Sequence, residues 1–554
     1  MGNNFFYASL GSKIESLSHV GSHARGNMKD HGVTNVRNFG QVNFPCFARV
    51  CGFVLAAASS VLIHSPAARA SDAAALSGTN ESLLFAKVDE IFADYALDNH
   101  VPGLVYGVVA DGRLVHVRGL GVQDLKSNRP VTPDTLFRIA SMTKAFTALS
   151  VLKLRDDGKL QLDALAEAYV PEMRGWKSPT NDSPRIRVRD LLNHTGGFVT
   201  DDPWGDRQTP LPELEFSRLL REGVPFTSAP ATRMEYSNLG YALLGRIITN
   251  VSGKPYADSI AASLLRPLDM DSSGFVVDAA PRERRALGYR WEDNAWRLEP
   301  TMAHGAFGAM GGIQTSANDY AKWVVYLLSA WPPRDDADAG PTKRATVREL
   351  AHGSNFPQSR LRPGHSGADT CRQSATYGMG MNVAVDCELG FTLSHSGGYP
   401  GYGSHVMLLP DQGVGIFAFA NRTYAGPSVA VWDAAVALHK AEFRKNRAAS
   451  VSVDLAKAYR TVAAIYEQGD VAAGGDQLAM NFLMDRDASG RSRDLADLKK
   501  KVGNCDTTSP VTATGALAGE FTWRCAHGRV TGSVLLAPSR PMRIQSVVLA
   551  QKVP

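Results

Sequence analysis

The sequence predicts an α+β fold: an antiparallel sheet flanked by helices, with an all-helical subdomain beside it and a small α+β unit at the C-terminal end. Three observations predict it. A strand, tight turn, strand pattern occurs early, with Leu104 to Ala110 and Leu114 to Val117 separated by Asp111-Gly112. Three further strand candidates come late, at Phe391 to Ser394, His405 to Leu409 and Val414 to Ala420, divided by Gly-rich turns and Pro410-Asp411. Helical patterns lie between, near residues 137 to 157, 188 to 193, 236 to 251 and 317 to 330, so both ends of this unit must pair in one sheet with the helices packed against it.

From the N-terminus, the first 70 residues of the 554 hold six Lys/Arg against two Asp/Glu, which accounts for +4 of the net charge of +5. The remainder is nearly neutral and offers no basic footprint, so no nucleic-acid partner is expected. The basic segment reads as a leader. Arg49 precedes an apolar run from Val50 to Ile63, and Ala68-Arg69-Ala70 places small residues at a cleavage position, making residues 1 to 70 the signal segment and Ser71 the mature N-terminus. The polar stretch ahead of the run is longer than an ordinary n-region, and Met28 is an alternative start. The run is shorter than the ~20 residues that span a bilayer, so no stable membrane span is expected and the destination is periplasmic or secreted.

The six cysteines follow the same division. Cys46 and Cys51 lie in the leader, while Cys371/Cys387 and Cys505/Cys525 form two local pairs. In an exported chain these pairs are expected to be disulfides, with buried free thiols as the alternative. No C-x-x-C motif and no histidine at zinc-ligand spacing accompanies them, so no metal is expected.

Past the leader, Leu83 to Asn99 has helical periodicity ahead of the hairpin. A boundary falls near 440 to 452, where Lys440, Arg444, Lys445 and Arg447 end a helix and a new pattern starts. Beyond it, Leu455, Tyr459, Val462 and Tyr466 recur at helical spacing; another helix fits Asp494 to Val502, and strands fit Glu520 to Cys525, Val530 to Leu536 and Ile544 to Leu549. This gives a domain over 71 to 445 and a C-terminal α+β accessory domain over 446 to 554, the latter without a recognisable chemical constellation.

The chemistry sits in the first of these. Ser141-Met142-Thr143-Lys144 stands near the start of the long helical segment, and residues three apart on a helix share a face, which puts a hydroxyl within reach of an amine. Ala145, Phe146, Leu149 and Leu152 bury that helix, and a lysine so packed loses solvation, which lowers its pKa and lets the neutral amine take a serine proton. An S-x-x-K spacing also arises by chance in a chain of this length, so it needs company. Tyr236-Ser237-Asn238 opens another helix with a phenol and an amide, and His395-Ser396-Gly397-Gly398 follows a strand candidate into a Gly-rich turn.

Together with Phe137-Arg138-Ile139-Ala140 before the serine, Leu191-Leu192-Asn193-His194-Thr195-Gly196-Gly197, Leu239-Gly240-Tyr241 and Gly311-Gly312-Ile313, these blocks resemble the serine β-lactamase and penicillin-binding protein superfamily. The branch is the one holding class C β-lactamases, D-stereospecific peptidases and family VIII esterases, and the resemblance covers roughly residues 80 to 440. It implies a β-lactamase/transpeptidase-like fold. It makes Ser141 the nucleophile, Lys144 its proton acceptor, and Tyr236 the phenol that passes the proton to the leaving group and activates water. Asn238 would hold the substrate amide, His395, Ser396 and Gly398 would bind substrate, and the backbone amides of Ser141 and Gly398 would form the oxyanion hole.

The activity so implied is an acyl-enzyme serine hydrolase taking a small molecule or short peptide: D-amino-acid peptides, β-lactams or small esters, without a cofactor. The alternatives are a catalytically silent penicillin- or peptidoglycan-binding module, and an interaction protein working through its C-terminal unit. One position departs from the family pattern. His395 stands where β-lactamases and carboxypeptidases usually carry lysine, so the site offers a carboxylate substrate less charge at neutral pH; protonation near the ordinary imidazole pKa of about 6.5 would restore it. A rival nucleophile motif, Gly364-His365-Ser366-Gly367-Ala368, lacks the strand before and helix after it that an α/β-hydrolase elbow requires and reads as a loop.

Overall fold

The computed structural model describes residues 66–552 apart from 354, 356, 363–370 and 448. Residues 1–65, with Cys46 and Cys51 of the expected leader, and the Gly364 to Ala368 motif lie outside the described residues, while the expected cleavage position at Ala70 falls within the helix Pro66–Asp98. The main sheet has nine antiparallel strands: β1 Gly103–Ala110, β2 Arg113–Asp124, β3 Arg129–Pro130, β4 Gln358–Leu361, β5 Arg372–Tyr377, β6 Asn382–Asp386, β7 Gly390–Tyr399, β8 Tyr402–Leu409 and β9 Val414–Ala420. Their spatial order is β3-β2-β1-β9-β8-β7-β6-β5-β4. At the β1–β2 turn, Asp111 and Gly112 both take positive φ (52° and 70°), the conformation a two-residue hairpin demands and the reason for Asp-Gly there. β1 and β9, more than 300 residues apart, pair from Leu104↔Ala420 to Val109↔Gly415 and close the centre of the sheet.

The central strands are apolar at nearly every position because both faces are covered. Val105, Val109, Val406, Leu408, Phe417 and Phe419 point toward the helical side, into one core with Phe146, Leu149 and Trp323. The alternate residues Leu104, Tyr106, Val108, Met407, Ile416 and Ala418 point the other way, against Val88, Phe92, Val431 and Trp432. Those four come from α1 Pro66–Asp98, whose side chains are described from Asn80 on, and from α6 Ser428–Lys440. The helical side holds α2 Thr143–Asp156, α3 Val188–Leu192, α4 Asn238–Ser252 and α5 Ala317–Leu328.

Two differences from the sequence expectation fall at the site. The segment read as one helix from 137 begins instead as a two-residue strand, Phe137–Arg138, paired with Gln314–Thr315, and passes through a 3-10 turn, Ala140–Met142, before α2 starts at Thr143. Ala140 takes φ 47°, which no α-helix contains. His395 to Gly398, read as leading into a turn, continue as strand: β7 runs through to Tyr399, and Pro400-Gly401 makes the turn into β8. Glycine carries no side chain here to keep a neighbour away.

The C-terminal sheet contains β10 Cys505–Asp506, β11 Thr512–Gly515, β12 Ala518–Cys525, β13 Gly528–Ala537 and β14 Arg543–Lys552, ordered β10-β12-β13-β14 with β11 also on β12. It packs on α7 Val453–Gln468 and α8 Ala488–Val502 around a separate core that includes Leu455, Val462, Trp523, Val534 and Ile544. Both expected cysteine pairs are disulfides: Cys371 to Cys387, and Cys505 to Cys525, which face each other across β10 and β12. Among the described residues no helix is long and apolar enough to cross a membrane.

Candidate active site

Ser141 lies in the turn ahead of α2 and is nearly buried, at 7% exposure. The left-handed backbone of Ala140 costs on the order of 1–3 kcal/mol and needs fixed surroundings to persist. These are present. Ile139 N–H donates to Ile313 O at 3.1 Å, Ser404 Oγ donates to Ile139 O at 2.8 Å, and β7 passes so close that a Cβ on Gly397 would sit 2.3 Å from Ile139 O. The glycine in His395-Ser396-Gly397-Gly398 is thus what lets the strand lie against the serine turn.

Lys144 is fully buried on the first turn of α2. Its Nζ lies 3.0 Å from Ser141 Oγ, 2.8 Å from Asn238 Oδ1 and 3.0 Å from Met310 O, and 4.8 Å from the centre of the Tyr236 ring. Burial pulls its pKa down to about 8, partly opposed by Asp202, Asp206 and Asp201. Tyr236 precedes α4 rather than starting it. Its phenol interacts with Ser141, and burial holds it well above its usual pKa, so it stays a neutral phenol. Ser237 caps α4 by accepting from Gly240 N–H, while its own N–H donates to His194 Nδ1 at 3.1 Å. The ring of His194 packs 4.2 Å from Tyr236 and 4.5 Å from Tyr377 and wedges the phenol in place.

On β7, His395 is buried and engaged at both nitrogens: Nδ1 lies 2.6 Å from Ser396 O and Nε2 lies 2.9 Å from Tyr377 Oη. A carbonyl only accepts, so Nδ1 carries the proton and Nε2 accepts from the phenol. Burial, with Lys144 nearby, pushes the imidazole down to about 3. The protonation expected near 6.5 is therefore displaced out of the physiological range, because the sequence pattern carries no measure of how completely the ring is desolvated. Ser396 is half-buried, and its Oγ lies 2.8 Å from Nδ1 of His405, its cross-strand partner on β8. Gly398 follows in the same strand, opposite Gly403.

Four residues of this cluster escaped the sequence reading. His405 lies on β8, the neighbour of β7, and extending β7 through Ser396 would have placed it opposite that serine; Tyr377 ends β5, two strands from β7. Asp201 and Asp202 lie in the Thr200 to Pro212 segment, and nothing local connects them to Asn238. Asp201 accepts from Asn238 N–H at 2.6 Å and Leu239 N–H at 2.9 Å, capping α4 with both carboxylate oxygens.

With this geometry in view, the comparisons with known proteins are consistent. The Beta-lactamase family model matches residues 88–441, well over half of the chain, and the chain belongs to that family. "Protein flp" of Staphylococcus aureus (strain COL) is 28% identical over 341 residues, covering 60% of this chain and 62% of that protein. "Unguisins hydrolase ungD'" of Aspergillus campestris is 27% identical over 365 residues, 61% of this chain and 62% of that protein. The chain thus spans less than two thirds of the length of these relatives. Among solved structures, the octameric penicillin-binding protein homologue from Pyrococcus abyssi superposes with TM-score 0.53 at 20% identity, covering 84% of this chain and 98% of that one. A class C beta-lactamase gives 0.52 at 22%, covering 66% and 98%. At such identities these two likenesses speak for the fold, which is the β-lactamase/transpeptidase-like arrangement expected.

Proposed function

We propose that the protein is an exported serine hydrolase that works through an acyl-enzyme, with Ser141 as nucleophile, Lys144 as proton acceptor and Tyr236 as proton shuttle. One observation carries this reading: of the three acceptors around Lys144 Nζ, two are carbonyl oxygens. A protonated amine donates to all three. When it loses a proton, its two remaining hydrogens stay with Asn238 Oδ1 and Met310 O, which have no hydrogen to offer, and the lone pair is left facing the Ser141 hydroxyl. An amine with a pKa of about 8 has an appreciable neutral fraction near neutral pH.

In the proposed cycle the Ser141 proton passes to Lys144 as Oγ attacks the acyl carbon. The backbone amides of Ser141 and Gly398 receive the developing oxyanion, and loss of one such donor typically costs about 100-fold to 1,000-fold in rate. Tyr236 hands a proton to the leaving group and then receives one from the water that cleaves the acyl-enzyme. Asn238 and Ser396 orient the acyl amide. His405 Nδ1 can donate to Ser396 Oγ, which leaves the serine hydrogen for substrate. Export is supported by the leader pattern and by the two disulfides.

Within the substrate range of D-amino-acid peptides, β-lactams and small esters, His395 favours molecules without a free carboxylate. An imidazole held neutral and committed at both nitrogens provides no cation for an anion. For a matched peptide acid and its methyl ester, the KM ratio is expected to stay flat between pH 5 and 8, with the ester handled at least as well. A KM for the acid that falls as pH drops through 6 to 7 would show a titrating, substrate-facing imidazole and sink this account. The class of substrate is tested by incubating the full chain with D-peptides, cephalosporins and p-nitrophenyl esters and reading intact mass for an adduct on Ser141. Absence of an adduct and of turnover with every probe would overturn the hydrolase reading.

A further inference from the structure

Asn238 is held by a device of its own. Residues 201 to 207 fold around it: Asp201 caps the backbone of its helix, Asp202 Oδ1 accepts from its side-chain Nδ2, and Gly205 lies flat on it, so close that a Cβ there would be 2.6 Å from Asn238 Cβ and 2.8 Å from Nδ2. Gly205 is itself pinned by its N–H to Asp201 O at 2.6 Å. An asparagine amide has two faces of opposite character, and an acceptor-only carboxylate on one side dictates which way it lies. With NH₂ committed to Asp202, the carbonyl must face Lys144, where it is found at 2.8 Å. The flipped amide would put donors against a donor at Lys144 and an oxygen against a carboxylate.

We propose that Asp202 is the positioning residue of this site: it fixes the Asn238 amide so that the carbonyl receives Lys144 and one amide hydrogen is left for substrate, and its charge sets the pH at which Lys144 works. The inference rests on the acyl-enzyme reading above. Asp202 is exposed to solvent, and the Ser141-Lys144 pair lies one residue behind it, through Asn238.

The groups facing Lys144 allow the effect of that charge to be separated. Asp201, Asp202 and Asp206 raise its pKa from the 201 to 207 segment, while burial opposes them. Tyr236 and Tyr241 face it with ring surfaces, and His194 and His395 are neutral by burial. Asp201 is committed to two backbone amides, and Asp206, which accepts from Tyr424 Oη at 3.1 Å, has its carboxyl pushed well up by burial. Of the three, Asp202 acts most strongly on the Lys144 cation, while burial also raises its own carboxyl. Removing its charge stabilises neutral Lys144 and moves the acid limb of activity to lower pH, by roughly one unit for an opposite charge at short range.

The test is kcat/KM against pH with an activated ester, in the full chain, for wild type, Asp202→Asn and Asp202→Ala, with thermal midpoints recorded for each. Asparagine keeps an acceptor for Asn238 but not the charge; alanine keeps neither. Asp202→Asn is expected to retain activity within about threefold at its optimum, with the acid limb shifted down by roughly one unit. Asp202→Ala is expected to lose about 10-fold to 100-fold in kcat/KM at unchanged fold, as a misaligned reactive geometry does. A pH limb that does not move in Asp202→Asn, or equal loss in both variants in proportion to lowered thermal midpoint, overturns the positioning role and leaves the hydrolase reading standing. Wild type without Ser141-dependent turnover overturns both.

Discussion

Ser141→Ala is expected to abolish adduct formation and to lower hydrolysis by at least ~10⁴-fold while leaving the fold in place. The loss is large because, among the described residues, Ser141 is the hydroxyl that Lys144 Nζ contacts. Thr143 and Thr147 donate or accept within the core, with Thr143 Oγ1 receiving Ile313 N–H at 3.2 Å and Thr147 Oγ1 bonded to Ala309 O at 2.6 Å, and both are fully buried. The fold survives because one hydroxyl contributes only about 1 kcal/mol net, and Lys144 keeps Asn238 and Met310 as partners. The measurement is intact mass after a fluorophosphonate or penicillin, beside turnover of an ester. Labelling that persists in the variant would move the nucleophile elsewhere. Labelling of wild type without any turnover would identify a silent penicillin-binding module instead of an enzyme.

How much of this arrangement a single sequence reveals differs from element to element, for physical reasons. The Asp111-Gly112 hairpin and the apolar runs of β1, β8 and β9 are local patterns, and they predict strands that exist. The pairing of β1 with β9 follows from having strands at both ends with helices between, because an antiparallel sheet needs neighbours and only those were left. Ser141 and Lys144 are three residues apart and would meet in a helix or in the 3-10 turn that is present, so their meeting did not depend on the helix start being right. The error there came from Ala140, whose positive φ is imposed by β7 and the Ile313 carbonyl, contacts over 170 residues away in sequence. Asp202 and Tyr377 were invisible for the same reason. The short strands β4, β5 and β6 carry mixed polar residues near one edge of the sheet and give little periodic signal. His395 lies on β7, but its charge state is set by Tyr377, Lys144 and full burial, none of which its neighbours in sequence encode.

Replacing Lys144 separates catalysis from stability more sharply than any other change. Lys144→Met keeps the length of the side chain and its packing but removes the lone pair, and a missing general base costs typically 10²-fold to 10⁴-fold, so we expect about 10³-fold in kcat/KM. The pH dependence changes too. In wild type the rate should rise as pH rises through about 8, where Lys144 becomes neutral; in Lys144→Met that limb should vanish. The stability effect has the opposite sense. The folded pKa of Lys144 is depressed from 10.5 to about 8, so between those values the unfolded chain binds more protons and stability rises with pH; below about 8 the full penalty of holding a buried cation is paid. Methionine has no such penalty, and the variant should lose that pH-dependent segment without a lower thermal midpoint at pH 7. Lys144→Arg supplies the contrast, since guanidinium remains charged throughout and cannot accept the Ser141 proton. It should be inactive at every pH tested. An Arg variant with appreciable turnover, or a Met variant that keeps the limb near pH 8, would show that another group takes the proton, and Tyr236 would then be the residue to titrate next.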